Sequence, residues 1–337
     1  MFRSRAATLA ARAVTALVAA CVVVAAVVVW EVRRPLEFPV RPYSLDVRPG
    51  ASVGSVARTL AADGVLAHPA MLTIYARLSG ADRSIKAGQY EFDTALDLGD
   101  LVARLTQGDV TLRAITFVEG TTWAEVKRRI AAEPAIASGI VARSDAEIAA
   151  ALAIDSPSLE GRFFPDTYYF VAGSPDRAIL SRAHRQLETR LAAAWAARRP
   201  ELPLASSYEA LILASIVEKE TGRPADRPLI ASVFVNRLRR GMRLQTDPTV
   251  IYGLGAAFDG NLRKRDLETD TPYNTYTRDG LPPTPIALPS QAAIDAVVRP
   301  PDSPYLYFVA RGDGSSEFSA TLAEHNRAVA KYQLGRR

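Results

Sequence analysis

The sequence predicts an α+β body carried on a single N-terminal transmembrane helix, and three observations predict it. Ala13 to Trp30 is an uncharged apolar run of 18 residues, a strand, glycine turn and helix pattern occurs twice at an offset of 70 residues, and the remainder alternates helical periodicity with Pro-rich loops. The 337 residues are 48% hydrophobic and 23% charged, which excludes disordered and fibrous classes and allows about two domains.

The apolar run is close to the length that spans a hydrocarbon core. Arg3, Arg5 and Arg12 precede it with no acid, and Trp30 suits the far interface. The positive-inside bias therefore predicts a cytoplasmic tail over 1–12, a transmembrane helix over 13–32 and an exported body. A cleaved signal peptide would end in small residues, whereas this run ends in Val27, Val28, Val29 and Trp30. LVAAC (Leu17 to Cys21) resembles a lipoprotein processing site, but the chain stays apolar for about nine residues beyond Cys21, where a lipidated protein turns polar. Three of the formal +5 charges lie in the tail, leaving a nearly neutral +2 over the rest. The scattered arginines form no basic stripe, so nucleic acid is not an expected partner.

Residues 33–42 (RRPLEFPVRP) carry three prolines and read as an extended linker. The repeat follows. Aligning Gly50 with Gly120 pairs Leu45 with Ile115, Val47 with Phe117, Ser52 with Thr122, Val56 with Val126 and Leu60 with Ile130. Alternating apolar residues end at a glycine turn, and Ser52 or Thr122 can cap the helix that follows. Between the copies, Pro69 to Ser79 and Leu98 to Leu105 read as helices and Ile85 to Phe92 as a strand. LEGRFFPDTYYF (Leu159 to Phe170) places aromatic residues around a Pro-Asp turn, and Pro175 to Arg198 is an amphipathic helix.

Cofactor chemistry finds little support. Cys21 is the single cysteine, and His68, His184 and His325 are widely spaced without an HExxH pair, so no metal site is expected. There is no GxxxxGK[ST] and no Gly-rich turn for a nucleotide.

The chemistry concentrates after Ser206. Ser206 and Glu209 suggest a capping box, Gly222 and Pro224 a stop, and Ala210 to Val217 carries no charge, which predicts a buried helix ending in Glu218-Lys219-Glu220. Glu218 shares a face with Leu211, Ala214 and Ser215, while Glu220 points to roughly the opposite side. A carboxyl in the last turn faces the negative helix end among apolar neighbours, which favours the neutral form a general acid needs; Lys219 and Arg223 oppose this. Spacing alone leaves Glu218 open as a solvated helix-end residue or an acid. Asp226 is expected to cap a second helix over Leu229 to Arg240. Beyond it, Gln245, Asp247, Tyr252, Tyr273, Asn274 and Tyr276 supply amides, carboxyl, hydroxyls and rings within loops that read as too Pro-rich for regular structure. Such a mixture suits a carbohydrate cleft.

ASIVEKET (Ala214 to Thr221), LQTDPTVIYG (Leu244 to Gly253), PYNTY with GLPPTPI, LEGRFFPDTYYF and the terminal YLYFVA and EHN segments together resemble the YceG-like, or MltG, family of endolytic murein transglycosylases. The chain departs from the family pattern at Arg162, Thr284, Leu288, Ser290 and Ser316. The resemblance implies a LysM-like subdomain over 43–112 and a larger mixed α/β catalytic domain over 113–337. It implies that Glu218 cleaves the β-1,4 bond between N-acetylmuramic acid and N-acetylglucosamine without water, giving 1,6-anhydro ends and terminating strand elongation. Gln245, Asp247, Tyr252, Asn274 and Tyr276 would then bind the glycan. Implied partners are peptidoglycan strands, the lipid bilayer and wall synthases of the penicillin-binding type; the implied location is the inner membrane with the catalytic domain periplasmic. No cofactor is implied. A hydrolytic muramidase using Asp247 as its second acid and a non-catalytic wall-binding scaffold are the competing readings. A pyridoxal-phosphate lyase would need a Schiff-base lysine, and only Lys219 lies in a motif.

Overall fold

Alternating buried and exposed side chains make Tyr43–Val47 the first strand, β1, with Tyr43, Leu45 and Val47 turned inward. The computed structural model describes residues 18–20, 22–23, 26–48 and 50–334. Of the expected membrane span, 18–20, 22–23 and 26–32 are helical; its other residues, and the tail over 1–12, lie outside the described residues. Among the described residues no helix is long and apolar enough to cross a membrane.

The chain divides into two units, the first running to Arg113 together with Val171–Gly173, the second holding Ala114–Phe170 and Ser174–Arg337. In the first, β1 is followed by α1 (Val53–Ala62), α2 (Pro69–Leu78), β2 (Gly88–Phe92) and α3 (Leu98–Gln107). β1 and β2 pair antiparallel, with Leu45 opposite Tyr90 and Tyr43 opposite Phe92. Their inner faces meet Val56, Leu60, Leu72, Leu101 and Leu105, all buried. The Pro-rich segment is irregular as expected, but it is not a free spacer. Leu36 and Phe38 are buried in this core, Phe38 stacks on Tyr43 and Phe92, and the Leu36 amide donates to the Leu96 carbonyl at 2.9 Å. Two large apolar side chains among the prolines have more to gain from burial than from extension.

β3 (Leu112–Thr116) begins in the first unit and ends in the second, which continues with α4 (Trp123–Ala131), β4 (Ile136–Ala137), α5 (Asp145–Leu152), β5 (Thr167–Val171, all but its last residue), β6 (Ser174–Pro175) and α6 (Asp176–Ala196). β3 pairs with β5 and β4 with β6. Next come α7 (Ser207–Glu220), α8 (Arg227–Arg239), α9 (Asp247–Leu254), α10 (Lys264–Glu268), α11 (Gln291–Val298), the antiparallel pair β7 (Tyr307–Ala310) and β8 (Ser316–Ser319), and α12 (Leu322–Val329). α7 is the axis of this unit, with α6, α8, α9 and α11 packed around it.

Both copies of the repeat form the same local structure. Ser52 caps α1 and Thr122 caps α4, each accepting from the amide three residues on, and Gly50 and Gly120 have φ of 78° and 74°. A left-handed backbone at that point is why the pattern keeps glycine. The apolar residues paired by the alignment are buried in both copies.

Two expectations about element boundaries are corrected. Asp226 does not cap α8: its backbone is already helical, its side chain accepts from the Ser316 amide at 2.8 Å, and α8 starts at Arg227 with Pro228 in its first turn. Asp247 to Leu254 is helical rather than a loop. Pro248 falls in the first turn, where a missing N–H costs nothing.

Candidate active site

Helix α7 is positioned by burial on every side. Ser206 caps it by accepting from the Glu209 amide, Glu209 reaches back to the Ala205 amide at 2.6 Å, and Ala210 to Val217 are all buried. Ser215, fully buried, donates to the Ile212 carbonyl at 2.7 Å and accepts from the Ile286 amide at 2.9 Å. That bond ties the irregular 271–290 segment to the helix and brings Ser290, the cap of α11, beside the last turn of α7.

There it meets Glu218. The Ser290 amide donates to Glu218 Oε2 at 2.9 Å, and the Ser290 hydroxyl donates to the same oxygen. Arg227, the first residue of α8, donates from a terminal guanidinium nitrogen to Oε1 at 3.2 Å. The Glu218 side chain is 6% exposed. Lys219 reaches across to the Gly120 carbonyl at 3.2 Å, and a Cβ at Gly120 would stand 3.8 Å from Glu218 Cγ, so the second glycine turn lies against this carboxyl. The local sequence predicts an acid pushed toward its neutral form by its own helix end. Tertiary structure adds partners that the local sequence does not show: the N-terminal end of α11, the Ser290 amide and hydroxyl, and Arg227.

Glu220 has different neighbours. Its carboxyl accepts from the Thr246 hydroxyl and lines a cavity of about 580 Å³ together with Arg237, Gln245, Asp247, Tyr276, Tyr307, Ser316, His325 and Asn326. Burial pushes Glu220 up to about 7; the Thr246 bond and Arg237 pull down, and Asp247 adds to the rise. Asp247 accepts from the Tyr276 hydroxyl at 2.6 Å, and burial followed by Asp247 raises the Tyr276 phenol above its ordinary range. Gln245 has φ of 50°, a left-handed backbone unusual for a residue with a side chain, and its amide oxygen accepts from Arg237 at 3.3 Å. Burial, with Arg237, lowers His325, which stacks on Tyr307 at 5.2 Å.

The expected site residues therefore fall in four separate places. Gln245, Asp247 and Tyr276 share the cavity with Glu220, while Glu218 is held by Ser290 and Arg227 and is not among the cavity-lining residues. Tyr252 stands apart from both, donating to buried Glu160 at 3.1 Å with its ring against Tyr273. Asn274 is corrected from a glycan contact to a loop staple. It is fully buried, its amide nitrogen donates to the carbonyls of Asp266, Leu267 and Thr269, and its oxygen accepts from the Tyr276 amide. All of its polar atoms are already engaged within the loop.

Sequence reasoning did not single out Arg227, Ser290, Arg237 or Glu220 for this site. Glu220 is legible in the alternation of acids around Lys219. The other three act across the fold, and their local sequence marks them only as helix-start or helix-interior residues.

Buried carboxyls beside a polar cavity lined with amide, phenol and imidazole groups define a site for acid–base chemistry on a hydroxyl-rich ligand. The chain belongs to the YceG-like family, whose model matches residues 45–331. It is 33% identical over 313 residues to the endolytic murein transglycosylase of Bacillus subtilis, covering 86% of this chain and 84% of that protein. An endolytic murein transglycosylase of Streptococcus pneumoniae is 28% identical over 316 residues, covering 84% of this chain but 57% of the longer relative. A crystal structure of a protein from Listeria monocytogenes described as yceG-like superposes with a TM-score of 0.54 at 29% identity, covering 85% of this chain and 98% of that one.

Proposed function

We propose that this chain is an endolytic murein transglycosylase in which Glu218 carries the proton chemistry. The observation that carries the reading is the Glu218 carboxyl, held by donors from α8 and α11 at the end of a buried helix in a chain of this family. The enzyme is a lytic transglycosylase acting on the glycan strands of peptidoglycan.

The chemistry runs in two steps on one carboxyl. Protonated Glu218 donates to the glycosidic oxygen as the bond from that oxygen to muramoyl C1 breaks, and the substrate's acetamido oxygen supports the charge at C1. Glu218, now a carboxylate, takes the proton from the muramoyl 6-hydroxyl as O6 bonds to C1 and closes the 1,6-anhydro ring. No water is consumed. The Ser290 and Arg227 donors hold the carboxyl in one place through both steps. General acid–base action supplies about 10²- to 10⁴-fold, and sugar contacts in the cavity around Gln245, Asp247 and Tyr276 supply positioning.

The reading extends to location. The uncharged run after three arginines supports a single-pass anchor with the tail in the cytoplasm and the body periplasmic, and the strand, glycine turn and helix of 43–62 support reading 43–112 as the LysM-like part. An enzyme placed there cuts nascent strands beside the synthases that make them. The full chain is expected to stay with membranes after an alkaline carbonate wash; release into the supernatant would remove the anchor.

The cleavage test follows the ends released from purified murein by mass spectrometry. The full chain in detergent is expected to give 1,6-anhydro-muramoyl ends, and Glu218→Gln none. Reducing ends from the parent would instead establish a hydrolytic muramidase, a reading favoured by Asp247 lying in the same cavity as Glu220. No ends from a folded parent would leave the wall-binding scaffold.

A further inference from the structure

Two arginines of α8 are buried, and they are used very differently. Arg237 spends its guanidinium on the carbonyls of Leu306, Arg243 and Leu244 and on Gln245 Oε1, and its plane lies 5.1 Å from the Tyr307 ring. It is a rivet between α8, the 243–245 segment and β7. Arg227 is 8% exposed, donates to Glu218 Oε1 alone, and its buried Nε has no partner among the described residues. Arg162 and Arg311 also leave a buried Nε without a partner among the described residues, so what sets Arg227 apart is that its one side-chain hydrogen bond there goes to Glu218.

The two oxygens of Glu218 are also held differently. Oε2 receives both the amide and the hydroxyl of Ser290, and that hydroxyl accepts in turn from the Ala293 amide at 3.2 Å, which fixes the direction of its proton. Oε1 has Arg227 only. A proton leaving or reaching the carboxyl therefore travels on Oε1, where a single contact has to yield.

We propose that Arg227 is a positioning residue that secures the second step, holding Glu218 ready as the base for the muramoyl 6-hydroxyl so that ring closure outruns attack by water. The inference rests on the Glu218 reading above. With Arg227 in place, O6 loses its proton to Oε1 and bonds to C1. Without it, Oε1 loses the contact that orients it, the proton transfer from the 6-hydroxyl is no longer aligned, and a water molecule can add to C1 instead, giving a reducing end with the surplus proton of that water passing to Glu218. Arg227 thus decides between transglycosylase and hydrolase products on the same glycan.

The experiment compares the full-length parent with Arg227→Gln, Arg227→Lys and Glu218→Gln on purified murein, reading rate and the ratio of anhydro to reducing ends. Arg227→Gln is expected to lose about tenfold in kcat, as for loss of a charge-assisted contact, and to raise the share of reducing ends about tenfold. Arg227→Lys, which keeps the cation, is expected to restore most of the anhydro share. An Arg227→Gln protein that is slow but gives the parent product ratio overturns the proposal and makes Arg227 structural, since misfolding lowers the amount of enzyme without changing how C1 partitions. If Arg227→Gln does not fold, an Arg227→Lys protein with the parent ratio supports the proposal only when its Glu218→Gln counterpart is inactive and an Arg227→Met variant, tested by the same ratio, yields reducing ends; the parent ratio in Arg227→Met overturns it. Glu218→Gln retaining cleavage defeats the Glu218 reading itself and is distinguishable from either result.

Discussion

The last turn of α7 presents two carboxyls two residues apart, and they live in opposite chemistries. Glu218 faces Arg227 and the start of α11. Glu220 faces a cavity with a hydroxyl as its donor and Asp247 nearby, and burial holds it up to about 7. Helical geometry turns them apart, and different tertiary partners receive them. One sequence motif thus supplies a carboxyl held by a cation on one side and a carboxyl raised by burial on the other.

Substituting Glu220 tests whether this division is real. Below about pH 7 the Glu220 carboxyl is neutral, and above it a second negative charge joins Asp247 in the cavity. Murein carries carboxylates of its own, so the parent KM is expected to rise as pH goes from 6 to 8, by about fivefold for one partly screened charge. Glu220→Gln keeps the neutral form and is expected to hold the low KM across that range with kcat little changed. If Glu220→Gln instead stops cleavage as Glu218→Gln does, the cavity acid takes part in bond breaking and the division of labour fails.

Much of this fold is legible in the sequence, and the boundary of legibility is physical. Capping residues, glycine turns and apolar periodicity are local signals, and Ser52, Thr122, Ser206, Gly50 and Gly120 all act on backbone within a few residues. The same signals misjudge Asp226, which depends on a partner elsewhere, and Pro248, which is compatible with helix only in a first turn. Asp226 prefers the Ser316 amide, 90 positions along the chain, and Pro248 is harmless only because the helix begins there. The site divides in the same way. Glu218 is marked by its helix, whereas Ser290 and Arg227 become its partners only through the packing of α8 and α11 on α7. Asn274 carries the side chain of a ligand contact, but its loop uses every polar atom first.

Glu160 sharpens the comparison from a third position, a buried carboxyl with donors but no cation. It is 4% exposed and accepts from the Trp123 amide at 2.9 Å, the Gly161 amide at 3.3 Å and the Tyr252 hydroxyl at 3.1 Å. Burial nonetheless raises it to about 7, because those three bonds favour the ion less than desolvation disfavours it. A carboxyl raised on folding binds its proton more tightly in the native state than in the unfolded one. Between the unfolded value of 4.5 and the folded value of about 7, its contribution therefore falls as pH rises, and the loss is complete above the folded value. Glu160→Gln keeps an oxygen for the Trp123 and Gly161 amides, and the Tyr252 hydroxyl can turn to accept from the new amide. The variant is expected to match the parent near pH 5 and to exceed it by on the order of 2 kcal/mol at pH 8, measured by denaturant unfolding at both pH values. A parent whose stability does not fall over that interval, or a variant no less pH-dependent than the parent, would show that the three donors balance burial at Glu160.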